Sequence, residues 1–407
     1  MKDKKIYLGV GLAFLLLMTI SLSYAYFSAS VSGNDNAKDV VVNAGTLSLV
    51  YTDGPEIKVE NIRPGKTITK EVTVKNTGTL DTNYNIIWQS LINEITNDEL
   101  VLSATCERLN ASGTAEGTCN AISQAPISDT TIGRKISIES GITHKYTFTI
   151  TFKETNADQN YNQGKKFNGV LGIEEYKAPD FSTDSWSTII ANVKAGNGSE
   201  YVVGSTKEVD LGTTYGTHTL RVANTSTPSE CSTIGFSQSA CGFVLEFADI
   251  ITDHKMNDTN TNVGGWPATS MRTFVNNDIY NAIPSEIKNA IIDTTVVSGH
   301  GQTDTKNFTS IDKLYLLAPK EIYTNFSSSY DTAKDLTRTL DYYTALGVTT
   351  SNCSKAIKKN GTSASYWWLR AANSRYVTTF LVVRDYGDWL DDNSFYSRGV
   401  APAFRIG

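Results

Sequence analysis

Short runs of alternating apolar and polar residues dominate the chain between residues 40 and 176. In residues 67–75, for example, Ile68, Val72 and Val74 fall on one face, and an Asn-Thr-Gly turn follows the run. Alternation with this period is typical of a β-strand with one buried face. About seven such runs, separated by frequent turn residues, predict an all-β sandwich over residues 26–176.

The pattern changes after a polar connector at residues 177–185, where we place a linker between two domains. Three later stretches have the spacing of amphipathic helices: residues 186–193, 270–280 and 284–292. Two apolar runs predict buried strands: residues 313–317 and 366–369. A few helices among many short strands predict an α+β domain over residues 186–407.

The first 25 residues have the pattern of an export signal. Three lysines near the N-terminus precede an apolar run at residues 6–22, and small residues follow at 23–25. This order of basic, apolar and small regions predicts a secretory signal peptide. The apolar run is also just long enough for a retained membrane anchor, so cleavage and anchoring both stay open. In either case we expect residues 26–407 to lie outside the cytoplasm.

Composition and charge narrow the function classes. The chain has 407 residues, of which 40% are hydrophobic and 19% are charged, as in globular proteins. Its formal net charge is −6, whereas proteins that bind nucleic acids usually present a strongly basic face. We therefore expect no nucleic-acid partner.

The five cysteines fit an exported protein. Cys106 and Cys119 flank one polar loop, and Cys231 and Cys241 flank another, so each pair predicts a local disulfide. Cys353 is left over. No basic residue cluster or histidine adjoins it in sequence, and we expect a buried or inert thiol.

The N-terminal half resembles a known family of exported proteins. The resemblance rests on four phrases: SYAYFSAS (residues 23–30), NAGTLSL (43–49), NIRPGKT (61–67) and VKNTGTLDTNYNI (74–86). They are similar to the TasA/camelysin family of Gram-positive bacteria, over residues 1 to about 176. The resemblance implies a jelly-roll-like sandwich and, for some members, extracellular fibres assembled through an N-terminal donor strand, which corresponds to residues 26–42 here.

Some members of that family have been regarded as metalloproteases. This sequence has no His-Glu-x-x-His motif and no other close cluster of histidines and acidic residues, so we expect neither protease activity nor a metal cofactor.

The C-terminal half resembles an uncharacterised bacterial domain that is similar to the formylglycine-generating-enzyme branch of the C-type lectin fold. The phrases are ACGFVLEFADII (residues 240–251), GGWPATSMR (264–272), DKLYLLAPKEI (312–322), TRTLDYY (337–343), YWWLRAANS (366–374) and GVAPAFRIG (399–407). We expect their tryptophans in the core. We expect Arg272, Arg370 and Arg405 to pair with buried carboxylates or carbonyls, and the candidate carboxylates are Glu246, Asp249 and Asp341.

The enzymes of that branch use a pair of copper-binding cysteines. Only Cys353 stands near the corresponding end of this sequence, and no Ser/His/Asp arrangement stands out. We therefore predict that the chain is not an enzyme and has no cofactor. Four possible calcium ligands occur in residues 388–393, but calcium takes six to eight oxygen ligands, so no metal site is predicted there.

Residues 375–398 lie between two of the quoted phrases and resemble the variable region of proteins diversified by a retroelement. In such systems a reverse transcriptase mutates template adenines, often in AAC codons, whose products exclude Lys, Glu, Gln, Met and Trp. The stretch contains no Lys, Glu, Gln or Met, and its single Trp389 would be a fixed scaffold residue. The alternative is an ordinary loop and edge strand.

The composition of the same stretch favours a binding surface, because it holds six aromatic residues, three arginines and four aspartates. We predict that Phe380, Val382, Gly387 and Trp389 face inward or set turns. Seventeen other positions are predicted to point outward and bind a ligand: Arg375, Tyr376, Thr378, Thr379, Leu381, Val383, Arg384, Asp385, Tyr386, Asp388, Leu390, Asp391, Asp392, Asn393, Phe395, Tyr396 and Arg398.

Together these inferences predict an exported protein, displayed at the surface of a Gram-positive-type cell, that binds a protein or glycan through residues 375–398. The alternative is a structural subunit of an extracellular fibre or matrix that assembles through residues 26–42.

Overall fold

The computed structural model describes residues 27–33, 40–44, 47–54, 57–128 and 130–407. The predicted export segment at residues 1–25 lies outside this description. The chain divides into two compact units, Met1–Lys177 and Ala178–Gly407, which we call unit 1 and unit 2. Among the described residues, no helix combines the length and the apolar character needed to span a bilayer.

Unit 1 is built from twelve described strands and one 3₁₀ turn at Asn160–Asn162. The strands are β1 (Phe27–Gly33), β2 (Val40–Ala44), β3 (Leu47–Asp53), β4 (Ile57–Ile62), β5 (Thr67–Asn76), β6 (Thr82–Asn93), β7 (Leu100–Leu109), β8 (Ala115–Thr118), β9 (Ile122–Pro126), β10 (Thr131–Ile138), β11 (Thr143–Phe152) and β12 (Lys166–Glu175). One sheet has the order β10-β6-β12-β1-β4. The other has the order β2-β3-β5-β11-β7-β8, and β9 also pairs with β7.

The two sheets of unit 1 enclose one hydrophobic core, as the alternating sequence pattern predicts. In β11, every second side chain is buried, and threonines occupy most of the half-exposed positions between them. Phe148 of β11 and Trp88 of β6 come from different sheets and belong to the same buried cluster. β-Branched and aromatic residues suit such a half-buried pleated surface. The observed architecture is that of a β-sandwich.

Unit 2 combines short helices with several small sheets. The helices are α1 (Trp186–Lys194), α2 (Gly212–Tyr215), α3 (Ser270–Phe274), α4 (Tyr280–Ala282), α5 (Ser285–Lys288), α6 (Pro319–Ile322) and α7 (Asp341–Ala345). A π-helical segment, Val275–Ile279, joins α3 to α4. Short 3₁₀ turns lie at Gly198–Glu200, Ser229–Ser232, Gln238–Ala240, Trp266–Ala268, Lys334–Leu336 and Ser354–Ala356.

The strands of unit 2 are β13 (Thr206–Asp210), β14 (Thr217–Asn224), β15 (Val244–Phe247), β16 (Thr252–Lys255), β17 (Thr294–Ser298), β18 (Phe308–Asp312), β19 (Lys358–Asn360), β20 (Ser363–Ser365), β21 (Trp367–Ala372), β22 (Thr379–Val383), β23 (Trp389–Asn393), β24 (Ser397–Val400) and β25 (Ala403–Arg405). The two larger sheets have the orders β13-β14-β15-β25 and β16-β24-β21-β22-β23. Two further pairs are β17-β18 and β19-β20.

Some of these elements agree with the predictions from the sequence, and one predicted strand does not form. Helix α1 begins after Ser185, whose hydroxyl accepts a hydrogen bond from the Thr188 N–H at 3.1 Å, a typical N-terminal cap. The predicted strand at residues 366–369 corresponds to β21. The predicted strand at 313–317 is wrong: the segment is buried, but only Tyr315 forms an isolated bridge, to Ala403. Burial alone does not distinguish a strand from an irregular core segment.

A buried ion pair between Arg370 of β21 and Glu321 of α6 lies at the centre of unit 2. Both side chains are fully buried, and two parallel N···O contacts of 2.6 Å join them. The guanidinium also donates to the carbonyls of Val297 at 3.2 Å and Leu316 at 2.8 Å. This pairing confirms the prediction for Arg370, because each buried charge has both a counter-ion and hydrogen-bond partners.

The carboxylates named as partners for Arg272, Arg370 and Arg405 are wrong. In the described part of the chain, Glu246 pairs with Arg221 and Lys358, and Asp341 pairs with Arg338. Neither they nor Asp249 contacts any of those three arginines. Arg272 contacts Asp312 at 2.6 Å, as expected for a buried carboxylate partner. Burial raises the pKa of Glu246, but the charges of Arg221 and Lys358 outweigh it and hold that pKa at about 2. The remaining predicted acids accept backbone N–H groups: Asp341 from Thr225 and Ser226, and Asp249 from Lys359.

The prediction for Arg405 is wrong. Its Nε has no hydrogen-bond partner among the described residues, because the last strand places the side chain beside Gly242 and not beside an acid.

Both predicted disulfides form, Cys106–Cys119 in unit 1 and Cys231–Cys241 in unit 2. Cys353 is a free, half-buried thiol. Burial, followed by the negative charge of Asp388, raises its pKa, and its Sγ lies 3.6 Å from the Tyr386 carbonyl oxygen. The raised pKa favours the unreactive thiol form, in line with the prediction.

Candidate functional site

The stretch 375–398 forms a hairpin at one edge of the five-stranded sheet of unit 2. Strand β22 lies between β21 and β23, and β23 is the last strand of that sheet. A turn at residues 384–388 joins β22 to β23. The loop before β22 and the loop after β23 approach each other where the Ser394 N–H donates to the Thr378 carbonyl at 2.8 Å. We call the exposed side of this hairpin and its two loops the hairpin face.

Three residues predicted to point outward are buried instead. Leu381 and Val383 are 0% exposed, and Thr379 is 9% exposed. Every residue of β22 is buried, because the strand has neighbours on both edges and packing on both faces. The prediction of one exposed face for this strand is therefore wrong at these three positions.

Five of the residues predicted to point outward have large, exposed side chains, and Val377, for which no direction was predicted, is 40% exposed as well. The exposed fractions are 74% for Tyr386, 52% for Tyr376, 41% for Tyr396, 40% for Leu390 and 38% for Phe395. Arg375 is also exposed. The other predicted ligand-binding residues are partly exposed: Thr378, Arg384, Asp385, Asp388, Asp391, Asp392, Asn393 and Arg398.

The residues predicted to face inward include one partial exception. Phe380, Val382 and Gly387 are buried, whereas Trp389 is only half-buried. The Trp389 ring makes edge contacts with Phe326 at 5.3 Å and with Tyr330 at 5.8 Å between ring centroids. The ring therefore packs against Phe326 and Tyr330, and part of its surface stays exposed beside the hairpin face.

Gly387 allows the turn at residues 384–388 to lie close to the chain beneath it. Its φ is 90°, and an added Cβ would lie 2.1 Å from the Cys353 carbonyl oxygen. The Tyr323 hydroxyl also donates to the Gly387 carbonyl at 2.6 Å. Only glycine fits this backbone geometry and this close approach, so the turn that presents Tyr386 is held in one place.

Ion pairs also order the charged residues of the hairpin face. Arg384 binds Asp388 through two N···O contacts, and Arg398 binds Asp392 at 2.7 Å. The hydrogen bond from Arg384 lowers the pKa of Asp388 below its ordinary value. The Arg398 guanidinium also lies 4.9 Å from the centre of the Tyr366 ring. These contacts limit the freedom of long side chains around the exposed aromatic rings.

Asn262 fixes the loop before β22, and the sequence analysis missed this residue. Its buried Nδ2 donates to the carbonyls of Asn373 at 3.1 Å, Tyr376 at 2.8 Å and Thr379 at 2.9 Å. Its backbone N–H donates to the Val377 carbonyl at 2.8 Å. The only local signal was an Asn before the Gly-Gly-Trp-Pro turn, which does not reveal partners more than a hundred residues later.

Asp331 is a buried carboxylate near the same loop. One carboxylate oxygen accepts the Ala333 N–H at 2.9 Å, while the other has no partner among the described residues. Burial raises the pKa of Asp331 to about 6. The adjacent Tyr330 accepts the Ser374 N–H through its carbonyl at 3.1 Å, which connects the Asp331 segment to the start of the hairpin face.

A second group of chemically reactive residues lies in unit 1. Cys106, Cys119 and His144 bring three potential metal-ligating atoms within 4.8 Å of one another, and they are the only such group among the described residues. The two sulfurs are joined in a disulfide, which removes both thiolates as ligands. Burial, followed by the positive charge of Arg108, lowers the pKa of His144 to about 4, so the imidazole is neutral at pH 7.

Two family models match parts of the chain. Residues 2–99 match the camelysin metallo-endopeptidase family. Residues 243–407 match a domain of unknown function, DUF6273. Each match covers less than half of the 407 residues. A search of the curated proteins gave no match.

The match over residues 2–99 confirms the camelysin part of the predicted resemblance and fits an exported protein. It contradicts the prediction that the chain is not an enzyme, because the matched family is one of metallo-endopeptidases. The potential metal ligands described above lie beyond residue 99, and with the disulfide closed they do not fit a metal ion.

Truncation of Trp389 and of Tyr386 should affect stability differently. Trp389→Ala removes the contacts with Phe326 and Tyr330 and should destabilise unit 2 by about 3 kcal/mol. Tyr386→Ala and Tyr396→Ala remove exposed rings and should change stability by no more than about 0.5 kcal/mol. Thermal melts of the three variants test this. If the tyrosine variants melt as early as Trp389→Ala, these rings belong to the core.

The buried carboxyl of Asp331 should make stability depend on pH. Its pKa is raised to about 6 in the folded protein, against about 3.9 in an unfolded chain. Its contribution to the free energy of unfolding is therefore complete below pH 4 and lost as the pH rises through 6, by up to about 3 kcal/mol. We expect the free energy of unfolding, measured with urea between pH 4 and 7.5, to fall less with rising pH for Asp331→Asn than for the wild type. Parallel curves would contradict the buried, unpaired assignment.

Proposed function

We propose that the chain is an exported binding protein whose hairpin face binds a protein or glycan outside the cell. The observation that carries the proposal is the set of six large, exposed apolar and aromatic side chains on β23, the turn and the two loops of this hairpin. Exposed apolar side chains gathered on one part of a surface mark interaction sites, whereas single ones are common. Aromatic residues and arginine also supply much of the binding energy at protein interfaces.

The rigidity of the hairpin face supports this role. Gly387 fixes the turn, Asn262 fixes the preceding loop, and Arg384 and Arg398 each have an acidic partner. A surface that is already ordered loses less conformational entropy when it binds. The proposed ligand therefore meets a backbone whose position is set before contact.

We further propose that unit 2 is a C-type-lectin-like domain and that a retroelement diversifies its binding surface. In support, the two flanking phrases are largely buried: all residues of β21 before the stretch, and Gly399, Val400 and residues 401–404 after it. Within residues 366–407, every exposed residue except Gly407 lies in residues 375–398. The buried Thr379, Leu381 and Val383 are excluded from the variable surface, which is confined to the loops, the turn and β23.

The DNA around the gene discriminates diversification from an ordinary loop and edge strand. Diversification requires a reverse-transcriptase gene nearby and a near-repeat of the DNA that encodes residues 370–407. If both are missing, the amino-acid bias of the stretch has another origin. The binding role stands independently, because it rests on the exposed rings.

A fibre or matrix subunit is the second candidate. Strand β1, near the N-terminus, lies between β12 and β4, pairing parallel with the first and antiparallel with the second. A terminal strand in this position can be exchanged with a neighbouring copy, which would join subunits end to end. Electron microscopy of the exported protein distinguishes the candidates, because regular filaments favour the fibre and monodisperse particles favour the binding protein.

Binding should depend on the exposed tyrosines and not on exposed apolar residues elsewhere in unit 2. The full exported chain is screened against a glycan array and a random-peptide phage library. Tyr386→Ala/Tyr396→Ala should weaken binding to any captured glycan or peptide at least tenfold, as for interface anchors. The matched control is Val202→Ala/Ile234→Ala, which truncates side chains that are 68% and 101% exposed in other loops.

The control variant should keep the wild-type dissociation constant, measured by biolayer interferometry. Equal weakening of both variants, or no specific capture by the wild type, would contradict the proposal. A peptidase activity of unit 1 would leave this test unaffected, because the comparison is made at residues of unit 2.

A further inference from the structure

The disulfide of unit 1 lies beside a buried histidine on the same side of one sheet. Cys106 of β7 is directly opposite Tyr146 of β11, and His144 precedes Tyr146 by two residues. Residues two apart on a strand face the same side, so Cys106 and His144 are diagonal neighbours. Cys119 follows β8, and its N–H donates to the Cys106 carbonyl at 3.1 Å.

We propose that reduction of the Cys106–Cys119 disulfide converts this cluster into a binding site for a thiophilic divalent cation such as Zn²⁺. The ligands are the two cysteine thiolates and the His144 imidazole. The disulfide therefore acts as a switch that blocks the site while the protein is oxidised and opens it after reduction.

The reaction that opens the site balances with an external dithiol. The dithiol supplies two electrons and two protons and becomes a disulfide. The bond between the sulfurs of Cys106 and Cys119 breaks, and each sulfur becomes a thiol. Zn²⁺ then binds both sulfurs as thiolates and releases the two thiol protons to water.

The distances suit a tetrahedral zinc ion. Zinc lies about 2.3 Å from thiolate sulfur and about 2.0–2.1 Å from imidazole nitrogen, so tetrahedral ligands lie roughly 3.5–3.8 Å apart. The three donor atoms already lie within 4.8 Å of one another. The main change is a separation of the two sulfurs by less than about 2 Å from disulfide bonding distance.

The sequence around Cys119 allows this movement. Cys119 is half-buried, and every residue of the adjacent β8 is exposed. Cys106 and His144, in contrast, are 5% and 4% exposed and belong to long strands of the same sheet. Two ligands are thus held by the sandwich, and the third belongs to a surface hairpin that can adjust.

A buried tyrosine pair orients the imidazole. His144 Nδ1 lies 2.8 Å from the Tyr84 hydroxyl, which in turn lies 3.1 Å from the Tyr146 hydroxyl. Coordination through Nε2 leaves this hydrogen bond in place. Partners of this kind fix the ring orientation of metal-ligating histidines and raise their affinity for the metal. The fourth coordination position is left for water.

The second disulfide provides a matched control. Among the described residues, Cys231 and Cys241 belong to no group of three potential metal ligands. Two full-length variants are therefore compared, both carrying Cys353→Ser. One also carries Cys231→Ser/Cys241→Ser and keeps only the unit 1 pair, and the other carries Cys106→Ser/Cys119→Ser and keeps only the unit 2 pair.

Each variant is reduced with dithiothreitol, freed of reductant without oxygen, and titrated with Zn²⁺ against a chromophoric chelator. The variant that keeps the unit 1 pair should bind one Zn²⁺ per chain when reduced and none when oxidised. Co²⁺ should give it a thiolate charge-transfer band. Adding His144→Gln should weaken Zn²⁺ binding at least tenfold, and the variant that keeps the unit 2 pair should bind no Zn²⁺ at comparable concentrations.

Equal Zn²⁺ binding by the two reduced variants would overturn the proposal, as would absence of binding by the variant that keeps the unit 1 pair. Circular dichroism accompanies each titration. If reduction unfolds unit 1 and Zn²⁺ restores the native spectrum, the proposal is supported. If Zn²⁺ leaves the reduced chain unfolded, it is overturned.

Discussion

The buried ion pair between Arg370 and Glu321 is the constraint on which the architecture of unit 2 depends. Both charges are removed from water, so loss of either one leaves the other uncompensated, at a cost of about 3–5 kcal/mol. The pair joins β21 to α6, and Arg370 also holds the carbonyls of Val297 and Leu316. The position of β21 determines that of β22, and β22 in turn carries the edge strand β23.

The strands that are positioned by the ion pair form the interior of the sheet, and the proposed binding surface lies at its edge. β21 and β22 are buried throughout, whereas β23 and the adjoining turn and loops present the exposed rings. Substitutions of Tyr386 or Tyr396 can alter the surface without creating a cavity. Exposed side chains of the hairpin face that make no ion pair can therefore change with little effect on stability.

In unit 1, the potential metal-ligating residues Cys106, Cys119 and His144 lie in the β-sandwich, and the state of one disulfide determines whether the two cysteines can bind a metal. With the disulfide closed, Cys106 and Cys119 are structural, and His144 is a buried neutral imidazole. The same three side chains form a soft-metal donor set once that bond is reduced. The similarity to a metallo-endopeptidase family covers residues 2–99, which belong to unit 1. Metal binding by unit 1 can therefore be tested independently of ligand binding by unit 2.

The sequence by itself determined the strand periodicity of unit 1, both disulfides, the core position of Trp367 and the aromatic character of residues 375–398. These follow from local patterns and short separations along the chain. Only the tertiary structure decided that Thr379, Leu381 and Val383 are buried, because the burial of a strand's second face depends on distant segments packed against it. The same holds for Asn262, whose partners are more than a hundred residues away, and for His144 beside Cys106, which strand pairing brings together.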